Sequence, residues 1–173
     1  MHTQRMRSIA SLGLILTSMS GTRYAAGSHP TLSRQGPSDG CALLTAGDAS
    51  TALEATSLPG KHLLESDSKL CGWSHDPKLS DSSSRVVLVI VRPAQFTIAK
   101  NSGFTKAEPV SGVGDEAFYQ IYPNNPSPLI WVRKGSGALS IRILTRLKPS
   151  PPFTIDQSKS KLLVLAKAAV AKL

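Results

Sequence analysis

Residues 85–91 read Arg-Val-Val-Leu-Val-Ile-Val, and no other stretch restricts the fold so strongly. Six apolar residues follow the arginine, and five of them (Val86, Val87, Val89, Ile90, Val91) are β-branched. Such side chains are stiff at χ1 and favour extended chain. Seven residues is a strand length and too short for a typical helix. Without polar alternation, the strand is expected at the centre of a sheet and buried on both faces. Pro93 ends it, since proline cannot donate to a ladder.

The rest of the chain supplies partners and covering helices. Residues 70–75 (LCGWSH) predict a strand with Cys71 and Trp73 on one face. A glycine turn, Gly112-Val113-Gly114-Asp115-Glu116, leads into a strand (AFYQIY). Residues 129–133 and 138–147 predict a hairpin around Lys134-Gly135-Ser136-Gly137. Residues 61–70 suit a short strand or a turn, while the prolines of 123–128 and 149–152 mark loops. Thr45-x-x-Asp48 is a capping pattern that predicts a helix over 46–55. A short helix is expected over 94–101. Thr154-x-x-Gln157 opens the last helix, whose Leu162, Leu165, Ala166, Ala169 and Leu173 share one face. This order predicts an α+β domain: a mostly antiparallel sheet with an N-terminal, a short middle and a long C-terminal helix packed on one face.

Residues 1–27 read as a signal peptide. Arg5 and Arg7 precede the apolar residues 9–19, and small residues around Tyr24 follow. As a helix, that apolar stretch rises about 16 Å, against a hydrocarbon core of about 30 Å. It is too short to span, so cleavage after Ala26 or Gly27 is expected, with an uncleaved anchor as the alternative. Residues 28–38 form a polar linker and 39–173 one domain, with no membrane span in the mature chain. The chain has two cysteines, Cys41 and Cys71. In an exported protein they are expected to pair, two buried free thiols being the alternative.

Cys41-Ala42-Leu43-Leu44-Thr45, Cys71-Gly72-Trp73 and Gly112-Val113-Gly114-Asp115-Glu116-Ala117 follow in order, before a basic hairpin and a last helix. In this the chain resembles a family of small exported bacterial domains of unknown function, many of them actinobacterial lipoproteins. The resemblance covers about residues 39–173. It implies paired cysteines and an α+β fold, and no activity. Ser38-Asp39-Gly40 before Cys41 lacks the apolar residue of a lipidation site, so no lipid anchor is expected here.

The chemistry-bearing residues favour no enzyme. The glycine turn precedes a strand, whereas a dinucleotide loop opens a helix. Asp115 and Glu116 are neighbours on a strand and point to opposite faces, so they cannot flank one glycosidic bond. His62 with Glu65, and His75 with Asp76, are incomplete ligand sets, and two cysteines alone do not make a zinc site. Ser80 and Ser82–Ser84 lack a nucleophile elbow. No catalytic residue, cofactor or metal is expected. Charge is more informative. The net charge is +9, and residues 121–173 carry nine Lys/Arg against the single acid Asp156. Trp131 and Arg133 alternate onto one strand face, as do Ser140, Arg142, Leu144 and Arg146. Trp131, Arg133, Arg142 and Arg146 are therefore the candidate ligand-binding residues, for an anionic envelope component or another envelope protein. Lys159, Lys161, Lys167 and Lys172 on the last helix would extend this basic side. Nucleic acid is not expected as a partner of an exported chain. A ligand-free accessory role and a hydrolase with an unrecognised site are the alternatives.

Overall fold

The computed structural model describes residues 38–173 apart from 80–82, 104, 124 and 146–152, with only the backbone of 125 and 126. The expected leader, and the linker up to residue 37, lie outside the described residues, as do Arg146 and the proline run of 149–152.

Seven strands form one antiparallel sheet: β1 (Lys61–His62), β2 (Leu70–Ser74), β3 (Arg85–Val91), β4 (Lys106–Val110), β5 (Glu116–Tyr122), β6 (Asn125–Lys134) and β7 (Gly137–Leu144). Their order is β1-β2-β3-β7-β6-β5-β4. The valine-rich strand is interior, with Leu88 in register with Cys71 on β2 and Ile141 on β7. Three helices, α1 (Ala46–Leu53), α2 (Pro93–Lys100) and α3 (Ile155–Val170), complete an α+β fold.

Local chemistry sets the helix starts. Asp48 donates its backbone N–H to Thr45 Oγ1 at 3.1 Å, and its carboxylate accepts the Thr45 N–H at 2.8 Å. Thr154 and Gln157 make the same reciprocal pair at the start of α3. Each box satisfies donors that a helix start leaves free. At α2, proline occupies the first turn, and Gln95 Oε1 accepts the Arg92 N–H at 2.9 Å.

The main core lies between α1, α3 and one face of the sheet. Leu162, Leu165, Ala166 and Ala169 of α3 are fully buried against Val86, Leu88, Ile130, Val132, Leu139 and Ile141. Cys71 and Trp73 point into the same core, as alternation requires. A Cys41–Cys71 disulfide joins the chain just before α1 to β2, with Cα atoms 5.1 Å apart. For a separation of 30 residues the chain-entropy model gives a stabilisation of about 3–4 kcal/mol.

Two expectations need correction. The helices do not all lie on one face: α1 and α3 share one, while α2 packs on the other through Phe96, against Phe118 and Ala138. Nor is β3 buried on both faces. Val86 and Leu88 are buried under the helices, but Val87 and Val89, on the opposite face, are half-buried. The sheet is also wider than the sequence predicts. Lys106–Val110 forms an edge strand around Pro109, and β6 begins at Asn125, inside the expected loop. Proline is tolerated at such an edge.

Candidate functional site: the sheet face beyond α2

Alternation assigns one side of each central strand to the core and the other to the α2 side. Phe118, Gln120 and Tyr122 of β5, Leu129, Trp131 and Arg133 of β6, Ser140 and Arg142 of β7, and Val87 and Val89 of β3 fall on the α2 side. Register places Trp131 between Phe118 and Ser140, and Arg142 between Val87 and Leu129.

Near α2 this face is closed. Phe96 meets Phe118 edge-on, with centroids 5.2 Å apart. Phe118 stacks on Trp131, with centroids 6.2 Å apart and planes inclined by 8°. Both are favoured aromatic geometries. Arg133 lies over the Phe96 ring and pairs with Glu116 at 3.1 Å; Lys100 binds the other Glu116 oxygen. The Lys100 hydrogen bond, then Arg133, holds the Glu116 carboxyl below its usual range.

Further along, the face opens. Trp131 is half-buried, and its Nε1 donates to Gln120 Oε1 at 2.8 Å. Tyr122 Oη donates to the same oxygen at 3.4 Å, and buried Gln120 donates from Nε2 to Thr105 Oγ1 at 3.0 Å. Arg142 lies over the Tyr122 ring, 5.9 Å from its centroid, a cation–π arrangement. No carboxylate among the described residues pairs with it, and its Nε has no hydrogen-bond partner there. Burial pulls its guanidinium below the usual arginine value.

The structure thus brings Trp131, Arg133 and Arg142 to one face but gives the arginines different roles. Arg133 is neutralised, and Arg146 lies outside the described residues. The α3 lysines do not join them, because the sheet lies between. Lys159 pairs with Glu108 and Lys161 with Glu54 at 2.7 Å, while Lys172 reaches the Ala42 carbonyl and Lys167 is exposed. The hydrogen bond from Lys159, then that from Lys106, holds Glu108 below the usual carboxylate range. Gln120, the polar anchor of Trp131 and Tyr122, escaped the sequence reading. Its signal was a lone amide at the middle of the apolar strand AFYQIY, two residues from each aromatic on its face.

The other motifs resolve structurally. Gly114 has φ +63°, and an added Cβ there would meet the Arg133 carbonyl at 2.5 Å. Only glycine takes that position without strain. Asp115 accepts the Gly135 N–H at 2.6 Å and ties this turn to the β6–β7 hairpin. An open cleft of about 510 Å³ beside the turn is lined by Lys100, Asn101, Ser111 and Glu116, and the Lys100 and Glu116 charges there are spent on each other. His62 pairs with Asp39 at 3.0 Å, a partner that the sequence did not suggest. No helix among the described residues is long and apolar enough to cross a membrane.

Fold and site together define a disulfide-stapled α+β domain with a half-open aromatic sheet face. No protein-family model, curated protein or solved structure matches the chain.

Proposed function

We propose that this is an exported, non-enzymatic binding domain whose ligand is an anionic envelope component with an apolar part. The working surface is the sheet face centred on Arg142. One observation carries the reading: a half-buried guanidinium lies over Tyr122 between Val87 and Leu129, without a carboxylate among the described residues. A cation withdrawn from water is costly unless an anion meets it, and an arginine fork suits carboxylate or phosphate. Trp131, Leu129, Val87 and Val89 offer apolar contact around that charge. Export is supported by the leader's charge and apolar pattern, by the disulfide, and by the resemblance to exported domains.

The test is co-sedimentation of the exported protein with anionic or zwitterionic phospholipid vesicles at two salt concentrations. Binding to the anionic vesicles is expected, with a blue shift of Trp131 fluorescence and weakening as salt rises. Arg142→Gln should remove most of it, and Arg133→Gln, at an arginine already paired with Glu116, should keep most of it. Equal retention of both variants, or binding indifferent to vesicle charge, overturns the reading.

A second reading, a ligand-free accessory protein, is favoured by the pairing of Lys100, Lys106, Arg133, Lys159 and Lys161 with Glu54, Glu108 and Glu116. Charges so neutralised form a poor anion-binding side. Absence of vesicle binding in every form would favour it.

A further inference from the structure

Three side chains far from the sheet face, and separated by up to 23 residues in the chain, meet at the disulfide. Pairing of β1 with β2 sets His62 directly opposite Cys71. The disulfide holds Cys41 beside that pair. Asp39 accepts the Cys41 N–H at 2.8 Å, and the same oxygen meets His62 Nε2 at 3.0 Å. One donor atom from each of Asp39, Cys41 and His62 therefore lies within 4.8 Å of the others. The His62 and Asp39 side chains are 39% and 48% exposed, so a solvated ion can reach them, whereas Cys71 is fully buried.

We propose that reducing the Cys41–Cys71 disulfide turns this corner into a site for a tetrahedral divalent cation of the zinc type. The Cys41 thiolate, His62 imidazole and Asp39 carboxylate would bind it, leaving a fourth position for water, since Cys71 is fully buried. Zinc accepts this mixed sulfur, nitrogen and oxygen set, with bonds of about 2.0–2.3 Å. Donor atoms around such an ion stand about 3.3–3.8 Å apart. The widest separation needs to close by only about 1 Å to reach that spacing, while Asp39 and His62, already 3.0 Å apart, part slightly, both side-chain movements of surface groups. In the oxidised state the Cys41 sulfur is neutral and bonded, and two donors remain.

The steps balance with a dithiol as reductant. Its thiolate attacks the disulfide, and its second thiol then closes its own disulfide. The protein S–S bond breaks, and two electrons and two protons end as thiols on Cys41 and Cys71. Metal binding releases the Cys41 proton to solvent as the metal–sulfur bond forms.

Two cysteine variants separate ligation from stability, because both remove the same staple. Cys71→Ser leaves the Cys41 thiol beside His62 and Asp39 without any reductant, while Cys41→Ser leaves only the buried Cys71. Each is titrated with Co²⁺, read by its thiolate charge-transfer band, and then competed with Zn²⁺. One equivalent should bind Cys71→Ser and phosphine-reduced wild type, with no such band in oxidised wild type or Cys41→Ser. Adding His62→Ala to Cys71→Ser should cost more than the roughly 10–100-fold that loss of an outer-shell partner costs. A second measurement needs no cysteine variant: Zn²⁺ should protect Cys41 of folded, reduced wild type from alkylation, and should not protect it in His62→Ala. Equal cobalt spectra for the two cysteine variants, or protection indifferent to His62, overturns the proposal.

Discussion

The two faces of the sheet share their central strands and differ in chemistry. Under α1 and α3, the residues that β3, β7 and β6 contribute are aliphatic and fully buried: Val86, Leu88, Leu139, Ile141, Ile130 and Val132. On the α2 side, the same strands present Val87, Val89, Arg142, Leu129 and Trp131, all half-buried. Helix cover explains the difference. On the core side α3, with 16 residues and about 24 Å at the helical rise, lies on β6 and β7, while α1 packs on β2 and β3. On the other side α2, half as long at about 12 Å, packs on β5, β6 and β7, so the β2–β3 part of that face has no helix of the described residues over it. A short helix that leaves a sheet face half-open also leaves room for a charge, and Arg142 occupies that room.

The sharpest way to break this comparison is on β3, where neighbouring residues serve opposite faces. Leu88→Asp puts an unpaired carboxylate into the dry core and should abolish cooperative folding, at a cost above about 5 kcal/mol. Val89→Asp puts the same charge on the half-open face and should fold, losing about 1–2 kcal/mol in chemical denaturation. If both fail alike, the faces are equally closed and the comparison collapses.

The next largest effect should come from the cover itself. Phe96 is the buried anchor of α2, and Phe96→Ala should cost about 3–5 kcal/mol. It should shift Trp131 emission to the red while leaving Trp73, in the other core, unchanged. A loss under about 1 kcal/mol would mean that α2 contributes little to the closed part of its face.

The smallest effect concerns the ion pairs that border the open face. Glu116 is held below its usual value of 4.5 by Lys100 and then Arg133. Its pairing therefore stabilises the fold fully above that value and is lost as pH falls through the lower folded value. Glu116→Gln should lower the melting temperature modestly at pH 7 and flatten its decline below about pH 4.5, so that the two proteins converge in acid. The Glu116 side chain is 30% exposed, and solvent screening keeps the effect modest. An unchanged acid limb would show that this pair adds nothing to the closed part of the face.

What the sequence determined by itself is local. Thr45 with Asp48, and Thr154 with Gln157, start helices through contacts three residues apart, and both boxes form as the spacing requires. The run after Arg85 forms a strand because β-branching acts within each residue. Gly135 turns the hairpin with a φ of +57°, a conformation that costs glycine little. Alternation told that Trp131 and Arg133 share a side. It could not tell which side a helix would cover, because strand period assigns partners to a face and is blind to what packs on it. Only the fold decided that α2 crosses to the far side and that Val89 lies there half-exposed. Pro109 hid β4 from view, since an edge strand needs a donor on one side only. The two arginines show the limit most plainly. Arg133 and Arg142 read alike in sequence, but register sets Arg133 against Glu116 and Arg142 against Leu129. His62 likewise finds Asp39 only through the pairing of β1 with β2 and the closure of the disulfide. Charges act through space over a few ångströms, and only the tertiary structure sets those distances.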